Sequence, residues 1–91
     1  MPVTVRLPGS LREATGGSTK VEARGRTLAE LIDDLDARYP GFRSRILDER
    51  GALRTWVNVF IGEQDARGIG GTSAAVPEGS EVMVIPAMAG G

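Results

Sequence analysis

The sequence predicts an α+β domain: a mixed four- to five-stranded sheet packed against one main helix, with a short second helix. Three features carry this prediction. Apolar and polar residues alternate near both ends of the chain, the spacing changes to a helical period between them, and no linker, repeat or low-complexity tract divides the 91 residues. A chain of this length suits one domain and can bury something over ~60% of the surface its unfolded form exposes.

Val3, Val5 and Leu7 alternate with Thr4 and Arg6, which gives a strand with one buried face, and Pro8-Gly9 stops it. After the turn-rich Thr15-Gly16-Gly17-Ser18, Val21 and Ala23 alternate with Lys20, Glu22 and Arg24, so a second strand returns as the antiparallel partner of the first. Leu28, Leu31, Ile32 and Leu35 then fall at i, i+3, i+4 and i+7, with Glu30, Asp33, Asp34, Asp36 and Arg38 on the other face of an amphipathic helix. Its start is marked by the capping box Thr27-Leu28-Ala29-Glu30, in which hydroxyl and carboxylate each satisfy an end amide, the cap being worth ~1 kcal/mol. Pro40-Gly41 ends the helix, and Phe42, Ile46 and Leu47, with Arg43, Arg45 and Asp48 among them, predict a shorter helical turn before Gly51.

Trp56 to Ile61 has the composition of a strand and is followed by a turn at Gly62-Glu63-Gln64-Asp65. Gly68, Gly70, Gly71, Pro77 and Gly79 punctuate residues 65–79, which predicts a loop with at most a short edge strand. Glu81 to Pro86 is the last strand, entered through Pro77-Glu78-Gly79-Ser80. With the first and last strands side by side in the centre, this order of elements gives the β-grasp, the ubiquitin-like arrangement. Residues 1–86 are then the β-grasp domain and residues 87–91 a flexible C-terminal tail ending in Gly-Gly.

Composition narrows the chemistry. The chain has no Cys and no His, so the usual nucleophile, thiolate ligand and neutral-pH proton shuttle are missing, and most metal and covalent-catalysis schemes go with them. Eleven basic and twelve acidic residues are interspersed, for a net charge of −1, which leaves no footprint for nucleic acid. The apolar runs are far shorter than the ~20 residues of a membrane span, and Met1-Pro2-Val3-Thr4-Val5 lacks the blocks of a secretory signal. A cytoplasmic chain is expected, monomeric when free.

The candidate functional residues lie at the C-terminus. Ala87, Met88, Ala89, Gly90 and Gly91 follow directly on a strand and reach roughly 17 Å beyond it when extended, far enough to enter another protein's active site. Glycine at the tip has no Cβ and passes a narrow channel, so that Gly91 offers an unhindered carboxylate. Alternation places Val3, Val5, Leu7, Val57, Val59, Ile61, Val82 and Val84 under the helix and leaves Arg6, Phe60, Met83 and Ile85 on the other face. Those four form either an exposed docking patch for a partner, or scattered surface apolars or the cover of a second small core. Asp65 and Arg67 read either as an acid-base or anion-binding pair or as turn-stabilising residues, and no catalysis is assigned to them. Asp33, Asp34 and Asp36 point around the helix and not at one centre, so they read as a solvated face. Trp56 reads as a packing residue.

The segment Asp65-Ala66-Arg67, followed by Gly70-Gly71, Val76, Gly79, Val82, Val84 and Pro86-Ala87-Met88-Ala89-Gly90-Gly91, resembles the MoaD/ThiS/CysO family of ubiquitin-like sulfur carriers, and its ending is similar to the Pro-Ala-x-Ala-Gly-Gly of the CysO-like branch. Ser80 stands where that family often has an acidic residue, and residues 40–56 match more loosely. The resemblance implies a protein substrate and carrier with no catalytic residue of its own. A ubiquitin-activating-type (MoeB/ThiF-like) enzyme would use MgATP to adenylate the Gly91 carboxylate, and a sulfur donor would displace AMP to leave a thiocarboxylate. That sulfur would pass to a biosynthetic acceptor enzyme making cysteine, thiamin, molybdenum cofactor or another thiolated metabolite. No cofactor is implied on the chain itself, and because it stops at Gly91 no extension is expected to need clipping. The alternative is a ubiquitin-like modifier or interaction module using the same terminus.

Overall fold

A computed structural model describes residues 2–86; Met1 and the expected tail, Ala87 to Gly91, lie outside the described residues. Strand β1 (Val3–Arg6) pairs antiparallel with β2 (Lys20–Ala23), Val5 opposite Val21. Their connection holds more than a turn. Gly9–Thr15 winds into a 3-10 helix that buries Leu11 to 1% exposure and closes at Gly16 with φ 67°. The buried Thr15 hydroxyl donates to the Ser18 carbonyl at 2.9 Å, so the one buried polar side chain of this segment is satisfied.

Helix α1 (Leu28–Arg38) turns Leu28, Leu31, Ile32 and Leu35 to the sheet. Its Thr27 cap accepts from the Glu30 amide at 3.2 Å. Glu30 reaches back as the sequence suggests, but one residue further than a capping box requires, to the Arg26 amide at 2.9 Å. A strap of backbone holds the same helix end: Leu28 donates to the Ala74 carbonyl at 3.0 Å and Val76 to the Arg26 carbonyl at 2.8 Å. Residues 65–79 are thus more ordered than a loop, with 3-10 turns at Ala66–Ile69 and Gly71–Ser73. They also add Ala66, Ala74 and Val76 to the core. Helix α2 (Phe42–Ile46) buries Phe42 and Ile46, and Leu47 follows them inside.

Strand β3 (Val57–Ile61) turns at Gly62 into β4 (Gln64–Asp65), so Gln64 and Asp65, which look like turn residues in the sequence, pair with Ile61 and Phe60. Strand β5 (Glu81–Pro86) completes a sheet in the order β2-β1-β5-β3-β4, with β1 and β5 parallel and every other pair antiparallel. All eight inner-face positions expected from alternation are buried, Val57 completely. The result is a helix clasped by a mixed sheet with the last strand in its middle.

One glycine is fixed by space. Between β2 and α1 the chain passes so close to the helix start that a Cβ on Gly25 would stand 2.6 Å from the Leu31 nitrogen and 2.8 Å from the Glu30 carbonyl carbon, both backbone atoms that cannot swing away. Gly25→Ala is therefore expected to lower stability by about 1–3 kcal/mol in urea denaturation, whereas Gly9→Ala, with nothing within 4 Å, should leave the midpoint nearly unchanged.

After α2, the Asp48 carboxylate accepts from the Arg50 amide at 2.8 Å and the Ala52 amide at 3.0 Å. The Ala52 amide, followed by that of Arg50, holds its pKa below the ordinary aspartate value. A folded-state pKa below the unfolded one stabilises above the ordinary value and loses that contribution as pH falls through the lowered value. A carboxyl NMR titration should find the Asp48 midpoint below that of an unstructured aspartate, with the Arg50 and Ala52 amide shifts following it.

Candidate functional site: the root of the C-terminal tail and the outer sheet face

Strand β5 is paired with β1 through Met83 and with β3 through Pro86, so main-chain pairing holds the chain up to the last described residue. The register aligns Arg6, Met83 and Phe60 in one row across β1, β5 and β3, with Asp65 of β4 opposite Phe60. The next row on the same face, two residues further along β5, sets Asn58 against Ile85. All four residues singled out for docking therefore share the face away from α1. Met83 is 38% exposed, while Phe60 and Ile85 are partly exposed and stand apart from the single hydrophobic cluster described. Among the described residues they cover no second core.

Arg6 is anchored at the edge of this patch, its Nε 2.8 Å from a Glu81 carboxylate oxygen, with both side chains about half exposed. Such a pair adds little stability in water but sets where the guanidinium stands. Beyond Arg6, β1 leaves the sheet at Leu7-Pro8 while β5 runs on through Val84, Ile85 and Pro86. A shallow groove of about 610 Å³ opens there, lined by Pro8, Lys20, Met83, Ile85 and Pro86 among others. Strand β5 thus ends beside a surface with apolar walls and two basic residues, Arg6 and Lys20, in its lining.

Asp65 and Arg67 take the turn-stabilising option. Asp65 accepts from the Arg67 amide at 3.0 Å, while the Arg67 guanidinium donates to Asn58 Oδ1 at 2.8 Å and to the Arg54 carbonyl at 2.6 Å. They tie the 3-10 segment to β3 and flank the Asn58–Ile85 row. The aspartates of α1 are divided among separate tasks: Asp33 pairs with Arg43, Asp34 with Arg38, and Asp36 accepts from the Gly41 and Arg43 amides. Trp56, expected to pack, is 40% exposed in the turn before β3, which is a correction to the sequence reading. Its aromatic character suggests a strand start, but the buried face begins one residue later at Val57. No buried side-chain polar atom lacks a partner among the described residues, and no helix among them is long and apolar enough to cross a membrane.

A central last strand beside the first and a helix clasped on one face define a ubiquitin-like β-grasp protein. The ThiS family model matches residues 5–91, and the chain belongs to that family. It is 42% identical over 93 aligned residues to sulfur carrier protein CysO of Mycobacterium tuberculosis, with the full length of both chains covered. The crystal structure of that organism's CysO superposes with a TM-score of 0.92 at 40% identity, over 94% of this chain and 99% of the other. CysO of Amycolatopsis orientalis, crystallised in complex with BexX, superposes with a TM-score of 0.91 at 42% identity, over 98% and 99% of the two chains.

The two faces of β5 should respond oppositely to one substitution. Met83→Gln is expected to leave the unfolding midpoint within about 0.5 kcal/mol of the parent. Val82→Gln, one position earlier, places an amide in the core and should cost about 3 kcal/mol or more in the same denaturant titration.

Proposed function

We propose that this chain is a sulfur carrier that works through Gly91. The observation that carries the reading is that the family match continues to Gly91, while the rigid central strand ends at Pro86, immediately before the terminal segment. The domain is the handle and the terminus the cargo site.

The chemistry follows from the carboxylate. One Gly91 oxygen attacks the α-phosphorus of ATP, pyrophosphate leaves, and the carboxylate, a poor electrophile, becomes an acyl adenylate. Sulfide released by a donor then attacks the carbonyl carbon and expels AMP, and loss of the remaining proton leaves a thiocarboxylate whose sulfur is itself nucleophilic. MgATP belongs to the adenylating partner, of the ubiquitin-activating type, and the chain supplies neither metal ligand nor base. In this reading Ala87, Met88, Ala89 and Gly90 thread the partner's active site while Arg6, Phe60, Met83 and Ile85 rest on its surface. A biosynthetic acceptor enzyme takes the sulfur, and the Pro86-Ala87-Met88-Ala89-Gly90-Gly91 ending, similar to the CysO-like branch, leans towards one that forms cysteine. The setting is the cytoplasm, where ATP and these enzymes meet.

Intact-mass measurement after incubation with MgATP, a cognate adenylating enzyme and a sulfide source should register the gain of sulfur for oxygen, and deletion of Gly91 should abolish it. Absence of the gain with the enzyme that forms the adenylate would overturn the reading, and recovery of the chain on lysines of other proteins would favour a modifier. The docking assignment has its own readout. Phe60→Gln with Met83→Gln should raise the adenylating enzyme's KM for this chain about tenfold while kcat changes little.

A further inference from the structure

The free edge of β2 is closed by two side chains of helix α1. Leu7 donates to the Thr19 carbonyl at 2.8 Å, so Thr19, Val21 and Ala23 direct their main-chain groups at β1, while Lys20, Glu22 and Arg24 direct theirs away from the sheet. Among the described residues, no strand lies beyond β2 in the sheet. Helix α1 meets these groups instead. Asp34 accepts from the Arg24 amide at 2.9 Å, Arg38 donates to the Glu22 carbonyl, and the two side chains join each other at 3.0 Å, one helical turn apart. One residue of a parallel neighbouring strand would offer the same pair of contacts, a donor to residue 22 and an acceptor to residue 24. The ion pair stands where a strand would.

We propose that the β2 edge is a strand-pairing surface for a second copy of this chain, kept shut by Arg38 and Asp34. Charge pattern selects that occupant and its register. Antiparallel pairing of two β2 strands about Val21 sets Lys20 of each copy opposite Glu22 of the other, at two positions whose main-chain groups point outward. Centring on Glu22 would instead oppose Lys20 to Arg24, which like charge disfavours. The favoured register needs the Glu22 carbonyl, the acceptor that Arg38 holds. Release of one side chain therefore uncovers the group on which the dimer depends, and two five-stranded sheets join into one across the edge opposite β4. The Arg38 and Asp34 side chains are 46% and 35% exposed, so the latch lies within reach of solvent.

Arg38→Met removes the donors while keeping a stem over β2. Sedimentation between about 10 μM and 1 mM should find the parent monomeric and this variant a concentration-dependent dimer, with circular dichroism verifying that both are folded. In the Arg38→Met background, Lys20→Glu alone or Glu22→Lys alone should abolish the dimer, and mixing the two should restore it, since each mispaired position then regains an opposite charge. A folded Arg38→Met chain that stays monomeric at 1 mM, or a dimer indifferent to these charge changes, overturns the proposal. Asp34→Ala gives a separate readout: the Arg24 amide should exchange with solvent about tenfold faster, and unchanged exchange would mean that the edge is not held by this pair.

Discussion

Everything in this molecule is arranged around the parallel contact between β1 and β5. It joins Thr4 to Glu81 and Arg6 to Met83, residues from opposite ends of the chain, and each strand then has only one side left for another partner. The hairpin to β2 takes one of those sides and β3 takes the other. Closing so long a loop is costly in chain entropy and is offset only when the inner faces of both strands are buried together. Helix α1 supplies that burial, and Gly25 lets the chain come close enough to lay the helix there.

This dependence explains what could be read from the sequence. Strands with one buried face announce themselves by alternation, and Val3, Val5, Val57, Val59, Val82 and Val84 all lie where period two puts them. The helix is legible for a similar reason, since four leucine and isoleucine positions share one stripe and Thr27 marks the start. Leu11 was not legible, because a short 3-10 segment with a single inward leucine has no period to detect. Ala74 and Val76 are hidden among glycines that signal a loop, yet they are buried because their backbone straps the start of α1. Gly25 gives no sign at all, as its role depends on a helix turn several residues further on.

The functional residues divide in the same way. Arg6, Phe60, Met83 and Ile85 could be assigned to one face from alternation alone, and the register adds that three of them form a single row with Ile85 between it and the end of β5. The main-chain partners of Arg67 and Arg38 could not be found by spacing, because the fold brings the Arg54 and Glu22 carbonyls near them. Under the proposed function the chain needs few chemically distinctive residues. What it needs is a firm surface held at a fixed position relative to its end, and that is a property of the sheet more than of any side chain.

The parallel contact has a mechanical side as well. Because β1 begins near one end of the chain and β5 runs towards the other, tension between the two ends pulls neighbouring strands past each other along their length. The hydrogen bonds between them are then loaded together in shear and not opened one by one like a zip. The antiparallel contact of β5 with β3 carries part of the same load. A machine drawing on the C-terminus would have to break both ladders at once before the domain yielded.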